Sequence, residues 1–230
     1  MSDNNKAMLR TSRLSELGLI TATLTHELRQ PLFAIRSLAQ LALAGDKDDE
    51  RRHLERLLKQ TESLERVVEA VGAYAREDTG VMIPIDPNSP PQACANLIAH
   101  RAKERGVELV LDIDKTAPLA VGEPTAILQV LVNLTQNAID ASKSGSRVWI
   151  RTGQVDGFVV MEVQDEGPGI PAELAEQVFE AFYTTKGPTQ GTGLGLYLAK
   201  EMAHRTQADL QLLGASSGAH FRLKLRPWGA

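Results

Sequence analysis

The chain is poor in several features that would settle its class early. It has a single cysteine, Cys94, among 230 residues, so no intramolecular disulfide frames the fold, and a reducing compartment suits it. One thiol without a partner reads as a small buried apolar residue. No stretch approaches the roughly 18 consecutive apolar residues of a membrane span, and the opening MSDNNKAMLR lacks the apolar core of a signal peptide. A cytoplasmic location without a membrane segment is therefore expected. There is no excess of positive charge: the net charge is −4, which speaks against a nucleic-acid partner. What remains is ordinary for a globular chain, with 43% hydrophobic and 23% charged residues.

Two halves have different periods. From Leu14, apolar or small residues recur at Leu14, Leu17, Thr21, Leu24, Leu28, Pro31, Ile35, Leu38 and Ala42, the three-four spacing of a helical seam. GDKDD at 45–49 interrupts it with acids that favour a new helix start. The seam resumes at Leu54, Leu57, Thr61, Leu64, Val68, Val71 and Ala75. Two helices of about 30 residues, each about 45 Å long, make a hairpin with a thin core. Pairing two hairpins would bury both seams, which predicts a homodimer built on a four-helix bundle. The expected boundary falls near residue 80, with an all-α domain over 1–80 and a second domain over 81–230.

The second half alternates. EDTGVMIPIDPNSPPQ at 77–92 reads as a hinge leading into a first strand. Helices are predicted over about 90–105 and 124–143, the latter opening on Glu123-Pro124. VELVLDI at 107–113 is strand-like, and two strands meet at Asp156-Gly157. A third helix follows Gly193, and a closing hairpin ends the chain. This order predicts an α+β sandwich with helices on one sheet face.

Four stretches there carry polar chemistry. In NLTQNAIDA, Asn133 and Asn137 are four apart and share a helical face. In DEGPGI, Asp165 ends a strand, and Gly167 and Gly169 allow close approach of a flat ligand. FEAFYTTK ends on Lys186. GTGLGL, which holds Gly191, Thr192, Gly193, Leu194 and Gly195, runs into a helix whose first amides suit phosphate oxygens.

Singly these are weak signals, but in this order they resemble the N, G1, F and G2 boxes of the Bergerat (GHKL) ATP-binding fold. That fold is shared by histidine kinases, Hsp90-type chaperones, MutL proteins and type II topoisomerases. The resemblance implies ATP and Mg²⁺ as cofactors. Asp165 would accept a hydrogen bond from the adenine amino group. Asn137, assisted by Asn133, would hold the metal. The five glycines would shape pocket and lid, and Lys186 would face phosphate. The ATP-hydrolysing branches carry a glutamate where this chain has Asn133. An amide is no general base, so the γ-phosphoryl group needs an acceptor other than water.

THELRQPL at 25–32 supplies one. It resembles the H box of HisKA-type histidine kinases, and with the boxes downstream the chain resembles the catalytic core of a bacterial two-component sensor kinase. With Leu24 and Leu28 turned inward, His26 lies on the outer face of its helix. Pro31 removes the hydrogen bond to the Glu27 carbonyl and bends the helix beside it. By resemblance, Nε2 of His26 attacks the γ-phosphorus while Glu27 accepts the Nδ1 proton, and the phosphoryl group passes to an aspartate of a response-regulator receiver domain. Gln30, one turn on, matches the position that orients water in dephosphorylation of the partner, which implies a secondary phosphatase activity. Three rival readings are a nucleotide-responsive scaffold without phosphotransfer, a net phosphatase acting through Gln30, and an Hsp90-like ATPase.

Overall fold

The computed structural model describes residues 28, 32–42, 52–58, 60–61, 64, 81–185, 193–214 and 217–229. They belong to two compact units. In the first, α1 (residues 32–42) and α2 (residues 52–58) are helical. The predicted seam residues Ile35, Leu38, Ala42, Leu57, Thr61 and Leu64 are half-buried. Leu54, which the seam also claimed, is exposed, as are Leu32, Phe33, Leu41 and Leu58. The GDKDD turn lies outside the described residues, as do Pro31 and the seam before Leu28.

In the second unit, β1 (Ile83–Ile85) is followed by α3 (Ser89–Arg105), β2 (Glu108–Asp112), β3 (Ala120–Gly122) and α4 (Pro124–Ala141). Next come β4 (Arg147–Val155), β5 (Phe158–Asp165), α5 (Gly195–Arg205), β6 (Asp209–Leu213) and β7 (His220–Leu225). Two short 3-10 turns, Ala172–Leu174 and Gln177–Phe179, lie between β5 and α5. The main sheet has the order β2-β4-β5-β7-β6. Only β2 and β4 run parallel. A parallel pair needs a long crossover, and α4 supplies it.

Two of the predicted helices, α3 and α4, and the turn after β4 form for local reasons. Pro90 and Pro91 open α3, and Gly106 closes it at φ 65° with Val107 N–H returning to the Ala102 carbonyl at 2.9 Å. The Glu123 carboxylate caps α4 by accepting from Thr125 and Ala126 N–H. Asp156 and Gly157, both at positive φ, make the tight turn between β4 and β5.

Alternation along the strands sorts the sheet's two faces. Val148, Ile150, Val159, Met161, Val163, Phe221, Leu223 and Leu225 are buried. Ile127, Val130, Leu131, Leu134 and Ile139 of α4 are buried with them. On the opposite face Trp149, Arg151, Glu162, Gln164, His220 and Arg222 are half-buried and mostly polar. The expected α+β sandwich is thus present. Cys94 is fully buried, its Sγ 3.5 Å from Thr135 Oγ1. Strand β3, which pairs with β1 in a separate two-stranded ribbon, was not anticipated: three residues beside Pro118 carry too short a pattern to read.

Candidate functional site

The site gathers where α4, the end of β5 and the start of α5 meet. Asp165 is 3% exposed. Its Oδ1 accepts from Gly167 N–H at 2.8 Å and from Ala219 N–H at 3.1 Å. Its own N–H donates to the Ala219 carbonyl at 3.0 Å. Main-chain amides from two segments therefore fix this carboxylate in place.

The glycines are demanded by close approach. A Cβ on Gly167 would lie 2.8 Å from Asp165 Oδ1 and 3.0 Å from the Ala141 carbonyl, at the end of α4. Gly169, at φ +76°, would place a Cβ 2.9 Å from the Gly218 carbonyl. Gly193, at φ +64°, packs against the Phe182 backbone, and Phe182 N–H donates to its carbonyl at 3.0 Å. Behind this turn Phe179 is buried edge-on against Phe221 and carries Lys200 Nζ 4.7 Å above its ring.

Asn137 stands one turn before the end of α4. Its amide nitrogen is 3.3 Å from where a Gly195 Cβ would sit, so it abuts the first residue of α5. No side-chain hydrogen bond occupies the Asn137 amide among the described residues. Asn133 sits one turn earlier on the same face, where its Oδ1 accepts a long 3.4 Å bond from Gln129. Leu194 is buried and precedes α5. The first-turn N–H groups and positive dipole end of this helix suit an anion.

The sequence-predicted residues Asn137, Asp165, Gly167, Gly169, Gly193, Leu194 and Gly195 are thus brought together around the last turns of α4. His26, Glu27, Gln30, Lys186, Gly191 and Thr192 lie outside the described residues. Two contributors were missed. Gly218 and Ala219 back Asp165 from the turn before β7, and Glu166 binds Arg147. The SSG turn was a faint signal for the first; nothing local signalled the second.

Among the described residues no three His, Cys, Asp or Glu side chains gather as metal ligands. The arrangement fits Mg²⁺ only in its usual nucleotide form, in which phosphates and water supply most oxygens. A half-buried amide with no side-chain hydrogen bond among the described residues, as at Asn137, is a suitable additional oxygen donor.

A carboxylate held by main-chain amides of two glycine-containing segments, with the start of α5 abutting Asn137 of α4, fits a nucleotide-binding domain of the Bergerat type. Residues 122–228 match the model of the histidine kinase-, DNA gyrase B- and HSP90-like ATPases, and residues 16–80 match that of the His Kinase A phospho-acceptor domain. These two matches give the chain the domain pair of a two-component histidine kinase catalytic core. It is 31% identical over 230 residues to the C4-dicarboxylate transport sensor protein DctB of Pseudomonas aeruginosa, covering 96% of this chain and 37% of that protein. To the histidine-protein kinase AtoS of Escherichia coli K12 it is 27% identical, covering 97% and 37%. The chain therefore spans less than two fifths of the length of these curated relatives. The catalytic domain of histidine kinase ThkA superposes with a TM-score of 0.58 at 26% identity, over 64% of this chain and 96% of that one. The structure of ThkA with the response regulator TrrA matches in fold, with a TM-score of 0.77 over 96% of this chain and 65% of that one. Among the described residues no helix is long and apolar enough to cross a membrane.

Proposed function

We propose that the chain is an ATP-dependent protein-histidine kinase core that phosphorylates His26 and passes the phosphoryl group to a response-regulator aspartate. The observation that carries this is the pairing of domains: a phospho-acceptor domain containing His26 precedes a nucleotide slot built around Asp165. Asn133 reinforces it, because an amide at that position leaves water without a base.

In this reading the Asp165 carboxylate accepts the adenine amino N–H. Gly167 and Gly169 keep the slot flat, and the first amides of α5 take phosphate oxygens. Asn137 offers its amide oxygen to Mg²⁺, with Asn133 assisting. The metal would neutralise phosphate charge. By resemblance to the family's boxes, Lys186, Gly191 and Thr192 would serve the phosphates. Nε2 of neutral His26 forms the bond to the γ-phosphorus as the bond to the β,γ-bridging oxygen breaks and ADP departs. Glu27 takes the Nδ1 proton, so charge does not accumulate on the ring. In-line positioning supplies much of the acceleration.

Homodimerisation through the helical hairpin belongs to the same reading. Phe33 is 74% exposed and Leu58 64% exposed, which leaves large apolar surface on α1 and α2 for a second copy. The setting we propose is cytoplasmic, where ATP and receiver domains occur. Incubation with γ-labelled ATP and Mg²⁺ tests the proposal. Acid-labile, alkali-stable label that transfers to a receiver domain supports it; no label, or equal label on His26→Ala, contradicts it.

A further inference from the structure

The ladder between β4 and β5 ends at Val148 opposite Asp165. Continued by one residue, it would pair Arg147 with Glu166, and the Glu166 carbonyl would accept from Arg147 N–H. The main chain instead turns off the sheet at Glu166 into the Gly167–Gly169 loop. The Glu166 side chain takes over the missing bond: Oε2 accepts from Arg147 N–H at 2.8 Å. Its other oxygen, Oε1, accepts from Arg147 Nη2 at 2.9 Å. The Arg147 guanidinium in turn lies 4.8 Å over the Trp149 ring, a stack that holds a cation in one orientation.

We infer that Glu166 is a positioning residue for the nucleotide slot: its carboxylate, held at both oxygens by Arg147, sets the angle at which the loop after Asp165 leaves the sheet. Gly167 follows directly and has little freedom, being wedged between Asp165 Oδ1 and the Ala141 carbonyl. A tilt at Glu166 is therefore passed to the Gly167 N–H that orients the Asp165 carboxylate. The Glu166 carboxyl is held below the usual range first by the Arg147 backbone N–H and then by its guanidinium. The inference rests on the slot being a nucleotide pocket, and the assay separates the two ideas.

Autophosphorylation of the whole chain is followed against ATP concentration. Glu166→Ala removes both arms and is expected to raise the half-saturating ATP concentration about three- to tenfold, with the limiting rate held within about twofold. Glu166→Gln keeps an acceptor for the Arg147 N–H and should recover most of the loss. Arg147→Ala keeps the main-chain arm and should match Glu166→Gln, with the two effects not adding in the double variant. A general loss of structure would lower the limiting rate as well and would not be rescued by glutamine. An unchanged ATP dependence in Glu166→Ala, or equal losses for alanine and glutamine, would overturn the inference alone. A wild-type chain that binds no ATP would overturn the pocket reading and the inference with it.

Discussion

Gly218→Ala is the substitution in which backbone and site are most tightly joined. Gly218 sits at φ +72°, and an added Cβ would lie 1.8 Å from the Asp165 carbonyl oxygen and 2.8 Å from Asp165 Oδ1. A left-handed conformation costs an L-residue about 1–2 kcal/mol. Overpacking against a neighbour that cannot yield adds about 1–3 kcal/mol. The neighbour here is main chain at the end of β5, opposite Val148 of β4 and tied through its N–H to the Ala219 carbonyl, so it cannot swing aside. The sum is about 2–5 kcal/mol, a large part of the ~5–15 kcal/mol that holds a domain folded. Two other glycines separate the contributions. Gly145 is left-handed at φ +88° with nothing within 4 Å of a Cβ, so alanine there should cost only the conformational part, about 1 kcal/mol. Gly214 has neither a left-handed φ nor a neighbour within 4 Å, and alanine should be neutral or stabilising by up to about 1 kcal/mol. Thermal unfolding of the three variants should rank Gly214, Gly145, Gly218, the last melting roughly 6–15 °C below wild type. Gly218→Ala should also weaken nucleotide binding, since the displaced atoms belong to Asp165. Equal melting of the Gly218 and Gly145 variants would refute the reasoning.

Three further outcomes are expected. Glu162 is drawn down from about 4.5 to about 2, chiefly by His220, whose Nε2 lies 3.2 Å from its Oε2, and then by Arg222, against partial burial. A lowered carboxylate stabilises the fold above its unfolded value, and that stability is lost as pH falls through the folded one. The stability gap between wild type and Glu162→Gln in urea should therefore close as pH falls from 4.5 towards 2; a constant gap contradicts it. The Cys94 thiol is pushed up to about 11 by burial, despite the Thr135 hydrogen bond. It should resist a thiol reagent near neutral pH until urea unfolds the chain, and rapid native labelling contradicts that. Leu131 is fully buried on α4; Leu131→Ala should lower unfolding free energy by about 3 kcal/mol, and a loss below about 1 kcal/mol would mean the site collapses around the gap.

Much of the second unit was legible because its signals are local and redundant. Pro124 at the start of α4, Gly106 after α3 and the Asp156-Gly157 turn each fix an element boundary through short-range chemistry. The slot was legible for a different reason: Asn137, Asp165 and the glycines fall in an order that few folds share. The β1–β3 ribbon was hidden because its pairing spans over thirty residues and three-residue strands carry no period. Gly218 and Ala219 were hidden because their partner, Asp165, is fifty residues away. The Glu166–Arg147 bond was hidden because a side chain there stands in for a main-chain carbonyl, and no spacing rule announces that. Leu54 belongs to the helical period yet is 49% exposed, so the period alone did not fix which residues of α2 turn inward.

ATP held at Asp165 should phosphorylate His26. Mass spectrometry of the chain after incubation with ATP and Mg²⁺, kept at alkaline pH to preserve phosphohistidine, tests it directly. The account predicts one phosphoryl group on the peptide containing His26, absent without ATP and strongly reduced in Asp165→Ala. An unmodified His26, or the same modification in Asp165→Ala as in wild type, would contradict it.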